Sequence, residues 1–239
     1  MSLSATATPI QATRPYYSRQ PNGYGRFRWL FNVVAGIALL LWAAGARAAE
    51  DGPLVVMLGD SLTAGYGLSA EDALPARLEA NLRAGGTPVR IQNAGVSGDT
   101  TAGGHARLGW ALADDPAIVV VALGANDGLR AIDPSETRAN LDLILSDLKS
   151  RGITVLLAGM LAPPNLGRDY GDAFDALFPA LAEKHEVAFY PFLLDGVAAD
   201  PTLNLSDGMH PNAEGVKVIA DRMAPHLEAL VNGAAARQD

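Results

Sequence analysis

From Leu54 onward, short apolar runs alternate with amphipathic stretches, and this alternation constrains the fold more than any other feature of the chain. The apolar runs, which we predict to be strands, are Leu54–Leu58, Val89–Ile91, Ala117–Leu123, Thr154–Ala158 and Val187–Tyr190. The amphipathic stretches, which we predict to be helices, are roughly Ala73–Arg83, Ala102–Ala113, Pro134–Ser150, Asp172–His185 and Ala213–Leu230. Strands that are apolar on both sides and separated by helices indicate a parallel sheet covered on both faces. We therefore predict an α/β fold, a three-layer, flavodoxin-like domain with a five-stranded parallel sheet.

The organisation of the chain is predicted to be one globular domain, residues 49–239, behind an N-terminal export segment, residues 1–48. The stretch from Leu30 to Ala46 is apolar, follows Arg26 and Arg28, and runs into Ala46-Arg47-Ala48-Ala49. Basic, apolar and A-x-A segments in this order are typical of a cleaved secretory signal. The alternative is an uncleaved anchor in the inner membrane, since about 17 apolar residues lie at the lower limit for spanning. We expect cleavage and export to the periplasm or outside the cell.

Charge and cysteine content exclude several function classes. The first 48 residues contain no acidic residue, so the predicted domain carries all 26 Asp and Glu residues of the chain. Such an acidic body repels phosphate backbones and anionic surfaces, which argues against a nucleic-acid binder or a polybasic membrane docker. The chain has no cysteine, which excludes thiol catalysis and cysteine-bound metals.

Polar, glycine-containing segments follow the first three predicted strands. They are Gly59-Asp60-Ser61-Leu62, the run from Asn93 to Thr100, and Gly124-Ala125-Asn126-Asp127. In an open parallel sheet the ligand lies at the carboxyl ends of the strands, where the strand order reverses. We therefore expect these segments to form the functional site.

A serine, a histidine and an aspartate are candidates for a catalytic triad. Ser61 lies where a strand turns into a helix, and Asp207 precedes His210 by three residues in a loop with glycine and proline. That spacing lets the Asp207 carboxylate accept from His210 Nδ1–H and leaves Nε2 free to take the serine proton. Taken singly, Asp60-Ser61 is also a good helix N-cap and Asp-x-x-His a common surface turn. Only their combination favours catalysis.

An acyl-transfer site also needs donors for the oxyanion, and three are available after the first three strands. Gly98 lets a backbone N–H approach the substrate closely, Asn126 offers a neutral amide, and the Ser61 N–H would be the third donor. Glycine and asparagine are equally common in turns, so each residue alone is also explained by loop structure.

Four segments carry a family resemblance: Gly59-Asp60-Ser61-Leu62, Ser97-Gly98-Asp99-Thr100, Gly124-Ala125-Asn126-Asp127 and Asp207-Gly208-Met209-His210-Pro211. Together they resemble the SGNH (GDSL-type) hydrolases over essentially all of residues 54–231. The runs 59–66 and 126–130 look most like the periplasmic branch of acyl-thioesterases, lysophospholipases and arylesterases. The resemblance implies Ser61 as nucleophile, His210 as base, Asp207 as its orienter, and Ser61, Gly98 and Asn126 as oxyanion donors. Ala125 departs from the Gly-Gly-Asn-Asp run of close relatives, and its methyl group could narrow the space beside Asn126.

We therefore expect a metal-free and cofactor-free serine esterase that hydrolyses small esters or thioesters bearing an acyl chain. Three classes stay open: a lipid-type esterase with transient contact to membrane lipids, a carbohydrate acetylesterase, and a non-catalytic lipid- or ligand-binding module. The apolar segment Met160-Leu161-Ala162-Pro163-Pro164 favours an acyl chain over a sugar as the ligand. The alternative explanation of this segment is a stiff, Pro-rich connection with no role in binding. A dinucleotide-binding pattern at residues 65–70 is discounted because it begins seven residues after the first strand ends.

Overall fold

The computed structural model describes residues 52–236, and the predicted export segment, residues 1–48, lies outside them. The strands are β1 (Leu54–Gly59), β2 (Arg90–Gly95), β3 (Ile118–Ala122), β4 (Thr154–Ala158) and β5 (Ala188–Tyr190). The α-helices are α1 (Ser61–Ala64), α2 (Leu74–Ala84), α3 (Thr101–Ala106), α4 (Leu108–Ala111), α5 (Ala125–Leu129), α6 (Pro134–Ser150), α7 (Arg168–His185) and α8 (Ala213–Ala235). Short 3₁₀ turns occupy Ala70–Asp72 and Pro164–Leu166.

The five strands form one parallel sheet in the order β2-β1-β3-β4-β5. The chain moves outward from β1 to β2, then returns past β1 to β3 and continues to the opposite edge. The strand order thus reverses between β1 and β3, and the crevice at their carboxyl ends is the place where such folds bind ligands. The predicted α/β, flavodoxin-like class is confirmed.

The sheet is covered on both faces by helices that bury one side each. Helices α2 and α8 pack on each other, and α6 packs against α7. The inner strands β3 and β4 are almost completely buried, as their apolar runs predict. Helix α6 begins at Pro134 behind an N-cap, Asp133, whose carboxylate accepts from the Ser135 N–H at 2.8 Å.

Two predicted elements differ from the structure. The second strand is longer than Val89–Ile91, and its residues are mostly exposed or half-buried because β2 lies at the sheet edge, with one neighbour only. The prediction that every strand is apolar on both sides is therefore wrong for β2. The predicted helix Ala102–Ala113 is split at Arg107 into α3 and α4.

None of the helices among residues 52–236 combines the length and the apolar character that crossing a membrane would require.

Candidate active site

A cleft of about 680 Å³ opens at the carboxyl ends of the strands. Its walls include the segments that follow β1, β2 and β3, together with the loop that precedes α8. All five residues that the sequence singled out as catalytic or oxyanion-binding lie in or beside it: Ser61, Gly98, Asn126, Asp207 and His210. The fold thus brings together segments that are up to 149 residues apart in the chain.

Ser61 is the first residue of the single helical turn α1, directly after β1. The N-cap of this turn is Asp60, whose Oδ1 accepts from the Leu62 N–H at 2.9 Å. Because Asp60 fulfils the capping role, the Ser61 hydroxyl is not needed for it. The simple capping explanation therefore applies to Asp60, and Ser61 is left available for other contacts.

The Ser61 hydroxyl contacts His210, and His210 in turn contacts Asp207. The distance from Ser61 Oγ to His210 Nε2 is 2.9 Å, and that from His210 Nδ1 to Asp207 Oδ2 is 2.7 Å. An ionised carboxylate only accepts hydrogen bonds, so Nδ1 carries the hydrogen and Nε2 of the neutral ring accepts from the serine. These three side chains have the order and spacing that proton transfer from a serine requires.

Asp207 is held in its charged form by its own loop. Its Oδ1 accepts from the backbone N–H groups of His210, at 3.0 Å, and Met209, at 2.9 Å. These two bonds, together with the bond to the His210 ring, lower the pKa of Asp207 to about 2. Asp207 is thus ionised at neutral pH and orients His210 as an acceptor.

Two residues that line the cleft, Ser61 and Gly98, have backbone N–H groups without an acceptor in the described part of the chain. Gly98 has φ +83°, in the left-handed region that glycine adopts without strain. Within residues 52–236, neither the Gly98 N–H nor the Ser61 N–H donates a hydrogen bond. The carbonyl of Gly98 accepts from Arg130 Nη2 at 2.7 Å, which helps to fix the turn. Both N–H groups are free to bind a negatively charged oxygen.

Asn126 also lines the cleft, from the first turn of α5. Its Nδ2 donates to Asp60 Oδ2 at 3.1 Å. An amide nitrogen carries two hydrogens, so one N–H of Asn126 remains for a ligand. Ala125, the departure noted in the sequence, also lines the cleft beside Asn126.

Asp60 is a buried carboxylate of the site with a raised pKa. It is 0% exposed, and burial raises its pKa to about 6, against the opposing effect of its bonds to Leu62 and Asn126. From its place in the sequence, Asp60 is expected only to cap a helix. The signal that could have revealed more is its position directly before the serine, after a strand that is buried from Val55 to Gly59.

The polar contacts that join the loops of the site are not apparent from the sequence. The buried carboxylate of Asp127 accepts from the Thr101 N–H at 2.9 Å and from Thr101 Oγ1 at 2.5 Å, which ties α5 to α3. Arg107 donates from Nε to Asp99 at 2.6 Å and from Nη2 to the Gly59 carbonyl at 2.9 Å. The loops that carry Ser61, Gly98 and Asn126 are thus connected to one another.

No group of three or more His, Asp or Glu side chains in the described part of the chain is arranged to hold a metal ion.

The sequence matches the family model described as the GDSL-like lipase/acylhydrolase family over residues 57–218. It is also 40% identical over 207 residues to thioesterase 1/protease 1/lysophospholipase L1 of Escherichia coli (strain K12), covering 86% of this chain and 95% of that protein. The chain belongs to the GDSL-like lipase/acylhydrolase family. The family expected from the four sequence segments is thereby confirmed.

Two further similarities are to an arylesterase and to an esterase of known structure. An arylesterase of Vibrio mimicus is 37% identical over 192 residues, which cover 80% of this chain and 96% of that one. The crystal structure of AlinE4, an esterase of the SGNH-hydrolase family, is 44% identical with a TM-score of 0.64, covering 74% of this chain and 96% of that chain. The fold and the sequence thus agree on the family.

Proposed function

We propose that the protein is a serine esterase that hydrolyses carboxylic esters through an acyl-enzyme intermediate, with Ser61, His210 and Asp207 as its catalytic triad. The observation that carries this proposal is the unbroken chain of contacts from Ser61 Oγ through His210 to Asp207, at 2.9 and 2.7 Å. It lies in a cleft beside two unengaged backbone donors. Membership of an acylhydrolase family supports the same chemistry.

Acylation begins when Ser61 Oγ attacks the ester carbonyl carbon while its proton passes to His210 Nε2. The carbonyl oxygen becomes negatively charged and is bound by the N–H groups of Ser61 and Gly98 and by the Asn126 amide. The bond to the leaving oxygen then breaks, and Nε2 returns its proton to that oxygen. An alcohol leaves and the acyl group stays on Ser61.

Deacylation repeats these steps with water. His210 Nε2 takes a proton from the water as its oxygen attacks the acyl carbon, and the same three donors bind the second oxyanion. When the bond to Ser61 Oγ breaks, the proton passes from Nε2 to Oγ. The products are a carboxylic acid and the original serine. Throughout, the ionised Asp207 stabilises the positive charge of the protonated His210 ring.

We propose an acyl chain as the part of the substrate that fills the cleft. The lining of the cleft includes apolar side chains of the loops after β4 and β5: Met160, Leu161, Ala162, Phe192 and Leu194. Such side chains offer contacts to methylene groups and few partners to sugar hydroxyls. The names of the relatives, thioesterase, lysophospholipase and arylesterase, fit esters or thioesters of this kind.

Transient contact with lipid surfaces is a further part of the proposal. Among the large apolar side chains that are about half exposed, four lie along the cleft: Tyr66, Leu129, Leu161 and Met209. An enzyme that takes a single lipid from a micelle or bilayer would place these side chains against the acyl region during substrate transfer. Hydrolysis of a lysophospholipid below and above its critical micelle concentration tests this: equal specific activity in both ranges argues against surface contact.

The experiment for the main proposal uses p-nitrophenyl esters of increasing chain length and, in parallel, an acetylated oligosaccharide. We expect hydrolysis by the purified protein, no hydrolysis by Ser61→Ala, and a maximum kcat/KM for an acyl group longer than acetyl. Preference for the acetylated sugar would instead favour a carbohydrate acetylesterase. Absence of hydrolysis with every ester would favour the non-catalytic binding module.

We also propose that residues 1–48 direct export and that residues 49–239 form the mature domain. The support is the order of basic, apolar and A-x-A segments before Ala49. N-terminal sequencing of the protein from an expressing bacterium should find a chain that begins near Ala49 outside the inner membrane. A membrane-bound chain that retains the stretch from Leu30 to Ala46 would identify an anchor instead.

A further inference from the structure

The two oxygens of the Asp60 carboxylate contact two different parts of the active site. Oδ1 accepts from the Leu62 N–H at 2.9 Å and so fixes the helical turn that carries Ser61. Oδ2 accepts from Asn126 Nδ2 at 3.1 Å, across 66 residues of sequence. Asp60 is 0% exposed, so water does not compete for these bonds. One buried carboxylate thus links the nucleophile turn to the side chain proposed as an oxyanion donor.

The contact determines which end of the Asn126 amide faces Asp60. A side-chain amide has a donor end and an acceptor end of nearly the same shape, and a rotation of 180° exchanges them. A carboxylate only accepts hydrogen bonds, so it selects the orientation in which Nδ2 lies next to Asp60. In that orientation one N–H is bound and the second remains for the cleft. The reverse orientation would place an oxygen lone pair where negative charge develops.

We infer that Asp60 is a positioning residue whose carboxylate holds the Asn126 amide with its free N–H toward the oxyanion. This inference rests on the proposed esterase function. Asp60 does not touch the reacting atoms and acts on them through Asn126. Its second bond, to Leu62, stabilises the nucleophile turn and is separable from this role.

The substitution that separates the two roles is Asp60→Asn. The Oδ1 atom of the new amide still accepts from the Leu62 N–H, so the helix cap is retained. Its Nδ2 now faces Asn126, and a hydrogen bond forms only if Asn126 rotates and presents its own oxygen. We expect kcat to fall by about 10²-fold, comparable to the loss of one oxyanion donor, with KM nearly unchanged.

A double-mutant cycle distinguishes action through Asn126 from a general structural effect. If Asp60 acts through Asn126, the double variant Asp60→Asn/Asn126→Ala should have the same kcat as Asn126→Ala alone, within about threefold. A matched control is Asp133→Asn, which alters an N-cap carboxylate that accepts from the Ser135 N–H at the start of α6, away from the cleft residues. The control should keep its kcat. Assays at pH 8, above the pKa of about 6, keep Asp60 ionised in the parent protein.

A second variant covers the case in which Asp60→Asn does not fold. Serine at position 60 is a good N-cap but is too short to reach Asn126, so Asp60→Ser should show the same loss in kcat and the same non-additivity. The inference is overturned if a folded position-60 variant keeps its kcat within threefold, or if its loss multiplies with that of Asn126→Ala. If one of these outcomes occurs while the parent protein is active and Ser61→Ala is inactive, only the inference about Asp60 is overturned and the proposed esterase function stands. An inactive parent protein would overturn the proposed function as well.

Discussion

The ring of Tyr66 lies against the imidazole of His210, with ring centroids 4.5 Å apart and planes tilted by 35°. The electron-rich face of an aromatic ring attracts a cation, and His210 becomes a cation in both halves of the proposed reaction. Tyr66 is about half exposed, so the effect is expected to be modest. This contact links a residue of the loop after α1 to the proposed base of the reaction.

The Tyr66 contact predicts a difference between two substitutions. Tyr66→Phe keeps the ring and should keep kcat. Tyr66→Leu keeps apolar bulk but removes the ring, and kcat should fall by about two- to fivefold, the equivalent of roughly 0.5–1 kcal/mol. Steady-state kinetics with p-nitrophenyl acetate, whose short acyl group limits contacts along the cleft, measures both. A rise in KM with unchanged kcat in Tyr66→Leu would show that Tyr66 binds substrate instead.

The triad predicts non-additive losses of activity. Ser61→Ala and His210→Ala should each remove nearly all turnover, and the double variant should be little worse than either single one, because the two side chains transfer one proton together. Circular dichroism should show that all three variants fold. If the losses multiplied, Ser61 and His210 would act in separate steps and the assignment would be wrong.

Substitution of Asn126 distinguishes a role in binding the transition state from a role in forming the turn. If its amide binds the oxyanion, Asn126→Ala should lower kcat by about 10²–10³-fold, or roughly 3–4 kcal/mol, and leave KM nearly unchanged. If it is only a turn residue, the variant should mainly lose about 1–2 kcal/mol of stability. Kinetics and urea unfolding of the same preparation measure both quantities. A less stable variant with normal kcat would reassign the donors to Gly98 and Ser61.

The raised pKa of Asp60 predicts how stability depends on pH. Burial raises this pKa from 3.8 to about 6, so the folded protein holds the proton more tightly than the unfolded chain. The resulting stabilisation is complete below about pH 4 and is lost as the pH rises through 6. The loss corresponds to about 2–3 kcal/mol between pH 4 and pH 8.

Comparison with Asp60→Asn isolates this contribution, because all other titrating groups are shared. Asp207, whose pKa is lowered, adds stability that is lost only as the pH falls below about 4, outside the range of interest. Urea unfolding at pH 4 and pH 8 should show that the parent protein loses about 2–3 kcal/mol relative to the variant. An identical pH dependence of the unfolding free energy in both proteins would mean that burial does not raise the pKa of Asp60.

Much of the site could be predicted because parallel strands end at one edge of the sheet. Ser61, Gly98 and Asn126 each follow a strand, so the α/β pattern alone places them near one another. Asp207 and His210 are three residues apart, and a short loop brings their side chains together without further information. The contact between Nδ2 of Asn126 and Asp60 could not be predicted from the sequence. It depends on the rotation of the Asn126 side chain and on the burial of Asp60 between the segments that follow β1 and β3.

The remaining differences have identifiable causes as well. The helix predicted at Ala102–Ala113 is divided at Arg107, whose side chain contacts Asp99 and the Gly59 carbonyl. These partners come from other segments, so a local periodicity cannot reveal them. The second strand was predicted too short because its residues lie at an exposed edge, where apolar side chains are not required.

The most direct test of the account is to find which residue a reagent for activated serines modifies. After incubation with a fluorophosphonate, which reacts with activated serines, mass spectrometry of the intact protein and of its peptides locates the adduct. We predict one adduct per chain, on Ser61, with a parallel loss of esterase activity and no labelling of Ser61→Ala or His210→Ala. An adduct at another residue with full loss of activity, or full activity after Ser61 is labelled, would contradict the assignment of Ser61 as the nucleophile.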